Sequence, residues 1–171
     1  MADPLAPRHS HARSGPLRGG RLDDATVLRR ATAGDVPAIV ALLADDPLGA
    51  TREGTDPAAY APAFAAVDAD PAHLLVVADD GGVVVGTLQL SFLPGLSRGG
   101  ALRAQVEGVR VAAGARGRGL GESMLRWCAD EARRRGAALV QLTTDARRPD
   151  ARRFYERLGY VASHVGMKLD L

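Results

Sequence analysis

Apolar residues recur at helical spacing along two stretches in the second half of the chain. Between about Gly117 and Arg135 they return every three or four positions, which predicts an amphipathic helix that stops at Gly136. A shorter helix is predicted between Pro149, which suits a first helical turn, and Gly159, which suits the position after the last turn. The segments that begin these two helices contain the residues with the clearest functional patterns in the chain.

Two further helices and six strands follow from the same patterns. One helix has the apolar face Val36, Ile39, Val40 and Leu43, and the other extends from Asp56 to Ala69. Strands are predicted at Thr26 to Ala31, His73 to Ala78, Val83 to Phe92, Leu102 to Val111, Ala138 to Thr143 and Val165 to Leu171. Along 102–111 the alternation slips by one residue near Glu107 and Gly108, which predicts a β-bulge.

The N-terminal residues 1–24 combine prolines, glycines and arginines with few apolar side chains, which predicts a disordered tail before a single domain at 25–171. With 171 residues, 46% apolar and 25% charged, the chain is of ordinary composition for one globular core. No apolar run is long enough for a membrane span, and no signal peptide is recognisable. The single cysteine, Cys128, falls on the apolar side of the long helix. A cytoplasmic protein without disulfides is therefore expected.

A glycine-rich turn joins the strand 102–111 to the long helix, and its sequence is typical of an anion-binding loop. Glycines allow the backbone to approach an anion closely, and the first turn of a helix leaves N–H groups without intrahelical partners. Arg116 and Arg118 add positive charge to this turn. A bound phosphate group is the predicted ligand.

The segment 147–160 predicts a helix that lays one apolar face on the core. That face consists of Ala151, Phe154, Tyr155 and Leu158. A phenol on such a face requires a hydrogen-bond partner or a cavity. Tyr155 is therefore either a core residue or a functional group facing a cleft.

Together, the turn and this segment resemble the GNAT superfamily of N-acetyltransferases. Arg116-Gly117-Arg118-Gly119-Leu120-Gly121 fits the family signature Gln/Arg-x-x-Gly-x-Gly/Ala, and Phe154-Tyr155-Glu156-Arg157-Leu158-Gly159-Tyr160 is similar to the second conserved region of the family. The resemblance covers about residues 25–171. It implies an α/β (α+β) fold with a central mixed, mostly antiparallel sheet of six to seven strands and about four flanking helices. The sheet is expected to splay between its fourth and fifth strands, which are 102–111 and 138–143.

The resemblance implies an acyl-CoA-dependent N-acyltransferase that moves an acetyl group from acetyl-CoA to a primary amine by direct attack. Glu107 stands where many relatives have the general base, and Tyr155 matches the tyrosine that protonates the departing thiolate. His164 is an alternative base, but a solvated or core role is favoured for it. No metal is expected, because the four histidines do not cluster with acids or cysteine.

The resemblance also implies a set of residues for acetyl-CoA, and Asp145 departs from the family pattern. Many relatives have asparagine near Asp145, and an ionised aspartate accepts hydrogen bonds but cannot donate them. The loop amides are expected to bind the pyrophosphate, β-strand residues to contact the pantetheine arm, and one or two arginines to bind the 3′-phosphate. The candidates are Val109, Arg110, Val111, Arg116, Gly117, Arg118, Gly119, Leu120, Gly121, Asp145, Arg148 and Arg152.

Two other classes of protein remain as alternatives. A Rossmann-type dinucleotide binder is disfavoured, because Gly117, Gly119 and Gly121 are spaced G-x-G-x-G. A catalytically silent coenzyme-A-binding sensor or partner module is disfavoured by the retention of both Glu107 and Tyr155. The expected acceptor is a small-molecule amine, with a protein amine as the alternative. No nucleic-acid or membrane partner is indicated, and a homodimer is left open.

Overall fold

The structure, a computed structural model, describes residues 16–23, 25–45, 50, 53–54 and 56–171. Within them one sheet contains six strands in the order of the sequence. The strands are β1 (Pro16–Arg21), β2 (Thr26–Arg30), β3 (His73–Asp80), β4 (Val83–Leu93), β5 (Arg103–Val111) and β6 (Leu139–Leu142). Neighbours from β1 to β5 are antiparallel, and β5 and β6 are parallel. This confirms the mixed, mostly antiparallel sheet.

Helices cover both faces of the sheet. They are α1 (Val36–Ala44), α2 (Ala61–Ala69), the single turn α3 (Ser97–Gly100), α4 (Leu120–Arg134) and α5 (Pro149–Arg157). Three short 3-10 turns occupy Ala33–Asp35, Pro57–Tyr60 and Ala113–Ala115. The larger core lies between the sheet and α4, where Met124, Leu125 and Cys128 are buried, and α5 packs against its margin. On the other face, Ile39 of α1 and Phe64 of α2 pack around Val77.

The long helix begins three residues later than predicted. Gly117 and Gly119 adopt φ angles of +74° and +79°, which a right-handed helix excludes, so α4 starts at Leu120. No helix in the described ranges is both long enough and apolar enough to cross a bilayer.

The two ends of the domain differ from the prediction. Part of the predicted disordered tail, Pro16–Arg21, is strand β1, which pairs with β2. Backbone pairing, one hydrogen bond from Trp127 Nε1 to the Arg18 carbonyl, at 3.1 Å, and the partly buried Leu17 side chain attach this mostly polar strand. Residues 1–15 lie outside the described residues. At the other end, the prediction of a strand from Val165 to Leu171 is wrong: the segment has the alternation of a strand, but it pairs with no strand among the described residues, and its side chains are exposed.

A bulge in β5 and a short β6 together open the sheet. Gln89 of β4 lies opposite Glu107, but Thr87 lies opposite Arg110, so β5 carries one extra residue between these pairs. Gly108 has a φ of +60° there, which confirms the predicted bulge. β5 pairs with β6 only from Arg103 to Val106. The strands 102–111 and 138–143 of the prediction therefore separate beyond Val106, which is the predicted splay.

We expect an Asp35→Asn protein to be less stable than the wild type by about 2 kcal/mol at neutral pH. The largely buried Asp35 carboxylate accepts hydrogen bonds from the Arg29 guanidinium at 2.7 and 2.8 Å and from the Thr32 N–H at 2.7 Å. These hydrogen bonds, chiefly from Arg29, lower the pKa of Asp35 from 3.8 to about 2. Because the folded pKa is the lower one, this stabilisation is present above about pH 4 and is lost as the pH falls toward 2.

Urea unfolding of the wild type and the Asp35→Asn protein at pH 7 and pH 3 measures this effect. The difference between their free energies of unfolding should be smaller at pH 3 than at pH 7. Asp68→Asn is the matched control, because the Asp68 carboxylate pairs with Arg30 at 3.3 Å and is 46% exposed. That variant should lose less than about 0.5 kcal/mol. Equal losses in the two variants would show that the Arg29–Asp35 pair carries no special stabilisation.

Candidate active site

The turn before α4 presents backbone N–H groups at the end of the opened sheet. The first hydrogen bond of the helix is donated by the Ser123 N–H to the Gly119 carbonyl, at 3.0 Å. The N–H groups of the preceding residues at this helix end therefore have no intrahelical partner. A Cβ placed on Gly117 or Gly119 would meet no atom within 4 Å, so positive φ, and not crowding, requires glycine at both. The loop surface is open to a ligand.

Gly121 lies where the start of α4 comes next to two other elements. A Cβ there would lie 3.5 Å from the Phe154 ring of α5 and 3.7 Å from a Val111 methyl of β5. These are ordinary van der Waals distances, so the start of α4 packs against both elements at Gly121 without requiring glycine there. The predicted loop, the free half of β5 and the helix that carries Tyr155 are thereby brought to one place.

The part of β5 beyond the bulge borders the splay. The Ala112 N–H donates to the Val85 carbonyl of β4 at 2.9 Å, whereas the carbonyls of Val109 and Val111 accept from arginine side chains. The Val109 carbonyl accepts from Arg110 Nη1 at 2.9 Å, and the Val111 carbonyl accepts from Arg116 Nε at 3.0 Å. Arginine side chains, and not a neighbouring strand, thus satisfy these two carbonyls. This edge of β5 is left with no strand beside it in the described part of the chain.

Tyr155 lies on α5 at the margin of the core and is half-buried. Its ring centroid is 5.4 Å from that of Phe154 and 5.9 Å from that of Tyr160. Burial raises the pKa of Tyr155 above its ordinary value of 10, against the opposing effect of the Arg148 and Arg110 charges. The phenol is therefore protonated at neutral pH. A protonated hydroxyl at this position can donate a proton.

Glu107 occupies the last position of β5 before the bulge. Its side chain is exposed, and it lies opposite Gln89 of β4. Within residues 56–171 its carboxylate forms no salt bridge, in contrast to most acids on α4 and α5. A carboxylate that is exposed beside the opening is available to accept a proton from an incoming group.

The arginines predicted to bind phosphate groups differ in their surroundings. The Arg116 guanidinium contacts the Asp45 carboxylate at 2.9 Å, and Arg152 pairs with Glu156 at 2.8 Å. Arg118 is exposed, and its charge contributes to lowering the pKa of Asp23. Arg148 is close enough to Tyr155 to affect the pKa of the phenol. Among these four arginines, Arg148 is therefore the one whose charge acts on Tyr155.

Asp145 orders the loop that leads into α5. Its carboxylate accepts from the Arg147 backbone N–H at 2.9 Å and from the Arg147 guanidinium at 3.0 Å. The Asp145 carbonyl also accepts from the Arg148 N–H at 2.9 Å. An aspartate performs this capping function well, since it needs only acceptors. A local structural role therefore accounts for the acid at this position, whereas its predicted contact with the coenzyme stays a prediction.

The sequence reasoning missed a row of polar side chains on the sheet face opposite α4. Arg103 and Gln105 share this face with Glu107, because Ala104 and Val106 are buried on the other one. Gln105 accepts from Gln141 of β6 at 2.8 Å. Arg103 Nε is buried and makes no hydrogen bond to any residue in the described part of the chain. The sequence of 102–106 does contain a signal for this polar face. Leu102, Ala104 and Val106 occupy one face of the strand, so Arg103 and Gln105 between them must lie on the other.

Cys128 lies in the core, and His164 lies on the exposed segment that follows α5. Burial raises the pKa of the Cys128 thiol well above its ordinary value, and the side chain lies in the core as predicted. His164 is exposed beyond α5, where Nδ1 lies 2.8 Å from Ser163 Oγ. The described residues contain no group of three or more histidine, cysteine or acidic residues that could hold a metal ion.

The fold and the loop define an acyl-transfer protein of a known class. The family model described as "Acetyltransferase (GNAT) family" matches residues 37–160. The chain belongs to this family, which uses acetyl-CoA generally. Membership of this family supports an acyltransferase activity. It also confirms the resemblance that the glycine-rich turn and the segment 147–160 indicate.

Individual proteins are similar to this chain over most of its length. The chain is 34% identical over 137 residues to an aminoalkylphosphonate N-acetyltransferase from Salmonella typhimurium, with 80% of this chain and 86% of the relative covered. A structure described as a transcriptional regulator from Bacillus halodurans C-125 is similar with a TM-score of 0.83 and 45% identity, over 85% of this chain and 99% of that one. Glucosamine-6-phosphate N-acetyltransferase from Arabidopsis thaliana shares the fold, with a TM-score of 0.71 and 18% identity over 86% and 99% of the two chains.

Proposed function

We propose that this protein transfers the acetyl group of acetyl-CoA to the primary amine of a small molecule. The observation that carries the proposal is the junction of three features: the splay beyond Val106, the N–H groups before Ser123 that have no intrahelical partner, and the half-buried Tyr155. A helix N-terminus with a glycine turn suits a pyrophosphate, and the open edge of β5 suits an extended amide-containing arm. Acetyl-CoA has both parts.

In the proposed reaction the amine attacks the thioester carbonyl directly and a tetrahedral intermediate forms. Glu107 takes the amine proton, directly or through water, because an alkylammonium ion is not a nucleophile. A backbone N–H of β5 near Val109 stabilises the oxyanion. Tyr155 then donates its proton to the departing thiolate. Burial raises the pKa of Tyr155, so the phenol is protonated at neutral pH and a proton is present for transfer to the thiolate.

The Salmonella relative supports aminoalkylphosphonates as the first acceptors to test. To acetylate such an acceptor, the site must supply a proton acceptor near the amine and a positive charge near the phosphonate. Glu107 and Arg103 lie four residues apart on one face of β5, about 13 Å along the strand, and the long arginine side chain can shorten that span. The buried Arg103 Nε without a hydrogen-bond partner further supports an anion here.

The test is an acetylation assay with acetyl-CoA and a panel of aminoalkylphosphonates, read by thiol release and by mass spectrometry of the product. We expect turnover, and we expect Glu107→Gln to reduce kcat by about 10²- to 10⁴-fold without changing the Kd of acetyl-CoA. Glu122→Gln is the control, because the exposed Glu122 side chain pairs only with Arg126 in the described residues. A loss of similar size in the control would remove the base role from Glu107.

An Arg103→Ala protein tests the phosphonate end of the acceptor separately. We expect KM for an aminoalkylphosphonate to rise by at least about tenfold, since a charge-assisted hydrogen bond is worth about 1.5 to 3 kcal/mol. The KM of the corresponding alkylamine without a phosphonate should change little, and so should the Kd of acetyl-CoA. Equal effects on both acceptors would assign Arg103 a structural role in β5.

A silent coenzyme-A-binding module is the second candidate function. The similarity to the Bacillus halodurans structure, which is described as a transcriptional regulator and not as an enzyme, favours keeping it. The same assay separates the two functions. Tight acetyl-CoA binding without acetylation of any amine in the panel, or of amines on added proteins, would support the silent module and contradict the enzyme.

A further inference from the structure

A row of polar side chains crosses the sheet on the face opposite α4. Its four members are partners in the strand register, in the order His73, Ser91, Gln105 and Gln141 from β3 to β6. Ser91 is only 4% exposed, and the other three are half-buried. Polar groups that are buried to this extent require hydrogen-bond partners. The partners of each group therefore show which polar atoms are left for a ligand.

The Ser91 hydroxyl connects His73 to Gln89, its neighbour on the same face of β4. Ser91 Oγ lies 2.8 Å from His73 Nδ1 and accepts a hydrogen bond from Gln89 Nε2 at 3.1 Å. The Asp70 carboxylate lies 3.8 Å from His73 Nε2, and its negative charge favours a proton on that nitrogen. Nδ1 is then an acceptor for the single hydrogen of the Ser91 hydroxyl. The hydrogen bonds thus run in one direction, from Gln89 through Ser91 to His73.

This chain of hydrogen bonds determines which end of the Gln89 amide is free. Nε2 is held by Ser91, so the carbonyl oxygen Oε1 lies on the other side of the amide, and no residue in the described part of the chain donates to it. Gln89 is the register partner of Glu107, and side chains in such a pair have Cβ atoms about 5 Å apart. A carbonyl oxygen that can accept a hydrogen bond is therefore placed beside the Glu107 carboxylate.

Gln105, the other glutamine next to Glu107 on this face, is bonded in a different way. Its carbonyl oxygen accepts a hydrogen bond from Gln141 Nε2 at 2.8 Å. The carbonyl of Gln105 is thus already occupied, whereas that of Gln89 is not. The two glutamines offer different groups to a ligand although they share a face of the sheet.

We propose that the Gln89 carbonyl accepts a hydrogen bond from the amine of the acceptor while Glu107 accepts another, and that this pair makes the site selective for primary amines. The inference rests on the proposed function, which places the amine beside Glu107. A primary ammonium ion has three N–H groups and satisfies both oxygens, but an N,N-dimethyl analogue has one and leaves an oxygen without a partner. Ser91 and His73 are positioning residues, because a reversed amide would direct its own N–H groups at those of the amine.

Isothermal titration with a primary aminoalkylphosphonate and its N,N-dimethyl analogue tests the role of Gln89. The full chain is saturated with CoA, which carries no acetyl group, so the amine is not consumed. We expect Gln89→Leu to raise the Kd of the primary amine at least about tenfold and to change that of the dimethyl analogue less than about threefold. Gln105→Leu is the matched control, and it should keep the preference for the primary amine.

Two substitutions at His73 separate positioning from a structural role. His73→Asn places a side-chain oxygen near the position of Nδ1, where it can accept from Ser91, whereas His73→Leu offers no acceptor. We expect the leucine variant to lose most of the preference for the primary amine and the asparagine variant to retain it. Circular dichroism of each variant should remain that of the wild type. An equal loss of preference in both variants would refute the positioning role.

An acetylation assay of the wild type distinguishes failure of this inference from failure of the proposed function. Acetylation of the primary amine together with an unchanged Kd in Gln89→Leu would overturn the inference alone. A preference for the primary amine that depends on Gln89, without acetylation, would support the inference and contradict the enzyme. A wild type that binds neither amine would overturn both.

Discussion

A Gly119→Glu protein is expected to fold like the wild type and to bind acetyl-CoA at least about 100-fold more weakly. Gly119 precedes α4 with a φ of +79°, and no atom lies within 4 Å of a Cβ built on it. The Cβ of the new side chain therefore meets no part of the fold, and the positive φ adds only local backbone strain. Its carboxylate instead lies at the helix N-terminus, where it competes with the pyrophosphate for the same N–H groups and repels its charge.

Isothermal titration of acetyl-CoA measures this loss, and Gly136→Glu is the matched control. Gly136 follows the other end of the same helix with a φ of +77° and equally open surroundings. The two variants thus introduce the same side chain and a similar backbone strain, but only one lies at the predicted coenzyme site. Retention of wild-type affinity by the folded Gly119→Glu protein would refute the binding site, and NAD binding would revive the dinucleotide alternative.

The second large effect is expected from Tyr155→Phe, which should reduce kcat by about 10²- to 10⁴-fold and leave the Kd of acetyl-CoA unchanged. Phenylalanine keeps the contacts with Phe154 and Tyr160 and removes only the proton donor. In the wild type, the rate should fall as the pH rises through the pKa of Tyr155, which burial raises above 10. The variant should lack this alkaline decline.

Tyr160→Phe is the control for a general effect of removing a buried hydroxyl. Tyr160 packs against Tyr155, and burial raises its pKa to about 12, but the proposed reaction does not use it. Steady-state rates from pH 6 to pH 11 for the three proteins distinguish the roles. If Tyr155→Phe kept full kcat, the thiolate would have to take its proton from another source.

Local chemistry explains why the glycine turn, the bulge and the two C-terminal helices could be predicted from the sequence. Positive φ at Gly108, Gly117 and Gly119 requires glycine, so the residue type reports the backbone conformation. Helical spacing likewise determines the face on which Tyr155 lies. Each of these features depends on residues that are close together in the chain.

Features that depend on distant residues could not be predicted. Asp45 is the partner of Arg116 although 71 positions separate them, and nothing near either residue indicates the pair. Strand β1 has little apolar character, because β2 and a side chain of α4 hold its backbone. The segment 165–171 shows the reverse case, since its alternation predicts a strand but it pairs with no strand among the residues that the structure describes.

The hydrogen bond between Trp127 and the Arg18 carbonyl gives this protein an intrinsic optical probe. The chain has a single tryptophan, so its emission comes from one indole. That indole is buried on α4, and its N–H is bonded to the backbone of the first strand. Detachment of the strand would hydrate the indole and shift its emission to longer wavelength. Fluorescence of the unlabelled protein can therefore follow the attachment of its N-terminal strand during unfolding, coenzyme binding or proteolysis.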